Sequence, residues 1–107
     1  MLELFREIAR RRDRGETVAM ATIVSSKRST PRGVGARIMV AADGSIAGTI
    51  GGGCGEHQVC LAALDVIRSG NPKMVRVELT NEVASNEGAA CGGVMEVFVE
   101  PIVGRDG

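Results

Sequence analysis

The sequence predicts an α+β fold: a small mixed or antiparallel sheet of about five strands with two helices packed on it, in the order α-β-β-β-α-β-β. Three observations lead there. Two stretches place apolar residues at three- and four-residue spacings, five short runs are β-branched or alternate apolar with polar, and an Asp-Gly pair separates two of those runs.

Each element has its own warrant. Residues 2 to 14 form an amphipathic helix, with Leu4, Phe5, Ile8 and Ala9 on one face and Arg6, Arg10 and Asp13 elsewhere; Gly15 ends it. Residues 17 to 25 (TVAMATIVS) have the β-branched, apolar character of a buried strand. A polar loop follows from Ser26 to Gly35. Residues 36 to 41 (ARIMVA) and 45 to 50 (SIAGTI) flank Ala42-Asp43-Gly44, which marks a hairpin. Residues 55 to 68 repeat apolar side chains at Val59, Cys60, Ala63, Leu64, Val66 and Ile67, and Gly70-Asn71-Pro72 stops this second helix. Residues 74 to 80 (MVRVELT) alternate as a strand with one wet face, and 81 to 93 lack periodicity. Residues 94 to 100 (VMEVFVE) make the last strand, closed by Pro101. The arrangement suits a sandwich with both helices on one face of the sheet.

At 107 residues the chain has room for one hydrophobic core, so one domain over 1-107 is expected. Only two residues are aromatic, both Phe, so the core must come from Val, Ile, Leu, Met and Ala. So thin a core favours covering an edge strand or helix face, and a homodimer or docked complex is expected. Formal charge is zero, which argues against a nucleic acid partner held by phosphate neutralisation. The balance hides an asymmetry, since residues 1 to 42 carry nine Lys/Arg against four Asp/Glu and the remainder carries four against nine. No run approaches the roughly 18 apolar residues of a membrane span, and the start carries no secretory h-region. A cytoplasmic protein with reduced thiols, away from the membrane, is expected.

Glycine is enriched, at 15 residues, and gathers round two cysteines. Gly48, Gly51, Gly52, Gly53 and Gly55 surround Cys54, while Gly88, Gly92 and Gly93 surround Cys91. Such clusters suit sharp bends or close approach of backbone to a ligand. The first lies between a strand and a helix, where free N–H groups and the helix dipole favour an anion. A cysteine there is biased toward thiolate, with pKa values of roughly 3.5 to 7.5 against about 8.5 when free. Cys54 also reads as a small buried hydrophobe in a tight turn. No Gly-Lys-Ser/Thr follows and the third glycine of a dinucleotide fingerprint is missing, so both common nucleotide motifs are rejected. Cys91 becomes the partner of a two-thiol site if both loops meet at one end of the sheet. Cys60, sharing a helix face with Leu64 and Ile67, reads as core.

Two further constellations carry chemistry. Ser29, Thr30, Arg32, Lys27, Arg28 and Arg37 offer hydroxyls and guanidinium groups suited to a phosphate, or else form a solvated basic loop. Cys54, His57 and Cys91 would supply three zinc ligands, with Glu56 or Glu96 as base, although a lone helix histidine is ordinarily a surface residue. No Ser-His-Asp set is present.

Five of these segments occur in one order and spacing: Ser29-Thr30-Pro31-Arg32, Gly35-Ala36-Arg37, Gly51-Gly52-Gly53-Cys54 with Glu56, Ala90-Cys91-Gly92-Gly93, and residues 96 to 101 (EVFVEP). Together they resemble the N-terminal domain of the XdhC/CoxI family of maturation factors for xanthine and carbon monoxide dehydrogenases, from about Leu4 to Ile102. The resemblance implies a chaperone rather than an enzyme, one that binds molybdenum cofactor (molybdopterin) transiently, protects it during sulfuration and inserts it into a molybdenum hydroxylase. It implies Cys54 as cofactor, sulfur and metal contact, with Arg32, Arg37, Gly51, Gly52, Gly53, Glu56 and Cys91 completing the cofactor site. Partners implied are the hydroxylase apoenzyme and a cysteine desulfurase. Typical members continue into a C-terminal nucleotide-binding domain, absent from this sequence, so NAD is not expected and a separate nucleotide-binding subunit is. Gly55 also stands where a larger apolar residue is common. A zinc- or thiol-dependent small enzyme using Cys54 and Cys91, and a non-catalytic interaction module, remain alternatives.

Overall fold

Alternation along β1 (Val18–Lys27) decides the architecture. Successive side chains of a strand point to opposite faces, and here both faces are apolar: Ala19, Ala21 and Ile23 are buried in one cluster while Val18 is buried in another. A strand of that kind has to be covered on both sides. The computed structural model, which describes residues 2–27, 33–48, 53–79 and 93–105, covers it with one helix on each face.

The elements are α1 (Leu2–Asp13), β1, β2 (Arg37–Ala41), β3 (Ile46–Gly48), α2 (Gly53–Ser69), β4 (Lys73–Leu79) and β5 (Gly93–Ile102). The expected order of two helices and five strands is therefore present, and the sheet is antiparallel at every pairing, in the order β3-β2-β1-β5-β4. Val59, Ala63 and Val66 of α2 pack on Ile23, Ile38, Val40, Val77, Met95, Val97 and Val99. Leu4 and Ile8 of α1 pack on Val18, Met39 and Ala41 from the other side. Both helices on one face was the expectation, and the parity of Ile38/Val40 against Met39/Ala41 corrects it: neighbouring residues of one strand serve different helices.

Three local features refine the sequence reading. The apolar stripe of α1 is narrower than expected, since Phe5 is 40% exposed and Ala9 is also exposed. The Asp-Gly turn closes as anticipated: Gly44 takes φ 88°, and the backbone N–H and hydroxyl of Ser45 donate to Asp43 Oδ1 at 2.9 and 2.7 Å. β5 does not stop at Pro101 but runs through it to Ile102. Proline is tolerated because β4 begins at Lys73, opposite Val99, so beyond that point no described strand flanks β5 on its outer side and no ladder donor is required there.

β1 carries an irregularity between Ile23 and Ser25, where Val24 is the extra residue and is 43% exposed. A bulge of this kind reverses the alternation. Past it, Ser25 and Lys27 stand opposite Glu96 and Val94 on the face away from α2. The tail is fastened to the α1–β1 turn, with Gly104 N–H donating to Thr17 Oγ1 at 3.0 Å and Arg105 N–H to the Arg12 carbonyl at 2.8 Å.

Candidate functional site

Antiparallel pairing gathers the ends of several elements. β1 ends at Lys27, opposite Val94; β4 ends at Leu79, opposite Gly93; and β2 begins at Arg37, near the end of β3 at Gly48. The main chain therefore leaves and re-enters the described fold at one end of the sheet on either side of residues 28–32, 49–52 and 80–92. α2 starts from that end as well, because it follows Gly48 and delivers the chain to Lys73 at the opposite end.

The expected site residues divide accordingly. Arg32, Gly51, Gly52 and Cys91 lie outside the described residues. Gly53 and Cys54 occupy the first turn of α2, where main-chain N–H groups have no partner within the helix, followed by buried Gly55 and half-buried Glu56. His57 is exposed. Cys60 is half-buried against the α2-side core, as its helix spacing indicated.

Arg37 lies at the same end of the sheet but on the other face. Its guanidinium carbon sits 5.6 Å from the centre of the Phe5 ring on α1, and Nη1 donates to the Gly35 carbonyl at 3.4 Å. Its Nε is buried without a hydrogen-bond partner. The structure thus joins Arg37 to Phe5 and does not bring it to the face that α2 covers. Gly48 is shaped by the same strand: its φ is 85°, and a Cβ there would come within 2.8 Å of the Arg37 carbonyl oxygen. Only glycine suits both the left-handed backbone and the close approach.

One feature of this end was not singled out from the sequence. A cleft of about 450 Å³ lies on the face away from α2, lined by Ser25, Lys27, Arg76, Glu78, Val94 and Glu96. Its signal was the polar phase of the two alternating strands, in which Arg76 and Glu78 share parity and pair across to Glu96 and Val94. Arg76 Nε meets Glu78 Oε2 at 3.1 Å within the strand. Among the described residues no set of three His, Cys, Asp or Glu side chains is arranged to hold a metal. No described helix is long and apolar enough to cross a membrane.

A five-stranded antiparallel sheet between two helices, with a glycine-cysteine turn opening the second helix at one end of the sheet, defines an α+β fold. The model of the XdhC and CoxI family matches residues 11–78, and the chain belongs to that family. The uncharacterized protein YqeB of Escherichia coli (strain K12) is 39% identical over 98 residues, which is 92% of this chain and 18% of YqeB. A solved structure described as a xanthine dehydrogenase from Bacillus halodurans superposes with a TM-score of 0.77 at 29% identity, covering 94% of this chain and 30% of that one. The chain therefore spans less than a third of the length of either protein.

Proposed function

We propose that this protein is a maturation factor that binds molybdenum cofactor, shields it during sulfuration and delivers it to a molybdenum hydroxylase such as xanthine or carbon monoxide dehydrogenase. Membership of the XdhC and CoxI family supports the maturation role, as does the likeness to a protein described as a xanthine dehydrogenase. The observation that carries the cofactor reading is the start of α2, where Cys54 follows Gly53 in the first turn of a 17-residue helix at the end of the sheet flanking residues 80–92.

The donor set suits that ligand on chemical grounds. A cofactor of this type supplies a phosphate and a metal with soft ligands. Unpaired N–H groups of a helix start favour the phosphate, and a cysteine thiolate is a soft donor for the metal. In this reading the N–H groups of the first turn of α2 orient the anionic end, Cys54 contacts the metal or its incoming sulfur, and Arg32 and Cys91 complete the hollow with Gly51, Gly52 and Glu56. Arg37 serves differently: stacked on Phe5, it holds the start of β2 and thereby the approach to Gly48. The partners are the apo-hydroxylase and a cysteine desulfurase, with a separate nucleotide-binding subunit, and the compartment is the cytoplasm.

The test is purification from cells with and without an intact cofactor supply, followed by molybdenum analysis and pterin fluorescence after oxidation. Molybdenum and pterin in equal amounts in the wild type, and their loss in Cys54→Ser, are expected. Protein that carries neither, or a Cys54→Ser variant that carries both unchanged, would overturn the reading.

A further inference from the structure

We propose that the outer edge of β4 is a self-complementary pairing surface through which two copies of this chain join antiparallel, extending the five-stranded sheet into one continuous sheet across a two-fold axis at Val77. β4 ends the strand order, and among the described residues no strand pairs with its outer side, so a row of backbone N–H and C=O groups is available over seven residues.

The charge pattern selects both the occupant and the register. Val75 and Val77 pack toward α2, so Arg76 and Glu78 project from the opposite face, where they are 62% and 57% exposed. In an antiparallel pair centred on Val77, position 76 of each copy falls opposite position 78 of the other. Arg76 then faces Glu78 twice, once on each side of the axis, and opposite charges directly across a sheet are stabilising. Centring on Arg76 instead sets Arg76 against itself, and centring on Val75 sets Arg76 against Met74. A shift of one residue would turn the α2 face of one copy to the open face of the other. One register therefore keeps both α2 helices on one side and sets Arg76 against Glu78 twice; it pairs residues 75–79 of each copy, and Lys73 lies beyond the paired stretch. β4 carries no proline, and of its three charged residues, Lys73, Arg76 and Glu78, the last two are of opposite sign and two residues apart.

An exposed apolar residue flanks the same edge. Asp65 of α2 holds Lys73 of β4 at 2.7 Å, and Leu61, one helical turn before Asp65, is 58% exposed. A paired stretch of five residues in each copy, 75–79, lies at the small end of specific interfaces, so the association depends on concentration. It needs no cofactor and is independent of the function proposed above.

The experiment is sedimentation equilibrium of the full chain from micromolar to millimolar concentration, for wild type, Arg76→Glu, Glu78→Arg and the double exchange. Wild type is expected to dimerise, each single variant to associate about tenfold more weakly or less because like charges now face across the axis, and the double exchange to regain association. Equimolar Arg76→Glu and Glu78→Arg are expected to form a mixed dimer, since every pair is again opposite. Far-UV circular dichroism of each variant establishes that it is folded. A wild type monomeric throughout, single variants that associate like the wild type, or single variants that fail to combine on mixing would each overturn the proposal.

Discussion

Placing a methyl group at Gly48 should unfold the β2–β3 hairpin more readily than placing the same methyl group at Gly44. Both glycines have left-handed backbone, φ 85° and 88°, so each Gly→Ala change carries a similar conformational cost of about 1–2 kcal/mol. Each also gains the same loss of freedom in the unfolded chain, so that contribution cancels in the comparison. The surroundings differ. Nothing lies within 4 Å of a Cβ at Gly44, whereas at Gly48 the Arg37 carbonyl oxygen is 2.8 Å away. Because that atom belongs to the backbone of a paired strand, it cannot rotate aside, and crowding of this kind costs about 1–3 kcal/mol. For a domain of this size a difference of about 1–3 kcal/mol separates the two midpoints by about 4 °C or more. Thermal and urea unfolding should be followed by far-UV circular dichroism, since the chain contains no Trp or Tyr. Equal midpoints for Gly44→Ala and Gly48→Ala, or a lower one for Gly44→Ala, would refute the steric argument.

Further expectations concern the core and the charges. Ile38, fully buried between the sheet and α2, should lose about 2–5 kcal/mol on Ile38→Ala, whereas Val103→Ala, at a position 66% exposed, should stay within about 0.5 kcal/mol; urea midpoints at constant slope check both. Hydrogen bonds from Lys73 and then Arg68 hold the Asp65 carboxyl below its ordinary range. A carboxylate with a lowered folded pKa contributes stability above the unfolded value and loses it as pH falls through the folded one. Asp65→Asn should therefore be less stable than wild type at neutral pH, the gap closing below about pH 4 and narrowing in high salt. A gap that widened in acid would contradict the assignment.

The site was legible in the sequence chiefly as chemistry. Glycines about Cys54 marked a strand-to-helix turn, and the helix does begin at Gly53, two residues before the expected start. Arg37 shows what the local pattern leaves open. An arginine near a basic loop reads as an anion ligand, yet β2 alternates, and position 37 shares parity with Met39 and Ala41 on the α1 side. The distant Phe5 that receives it is invisible to any local pattern. Arg76 and Glu78 were visible only as the polar phase of a strand; their cleft exists because β5 and the bulged end of β1 lie beside them.

The sequence by itself determined the identity and order of the elements, because spacing of apolar residues and the chemistry of Asp43-Gly44 act within a few residues. It also determined that Cys60 packs and Cys54 opens a helix. Only the tertiary structure decided that the helices take opposite faces, that β5 continues through Pro101, and that β4 stands at the edge of the described strands. Local signals specify a period and a turn. They do not specify which neighbour will cover a strand whose two faces are both apolar, since that choice is settled by burial summed over the whole sheet.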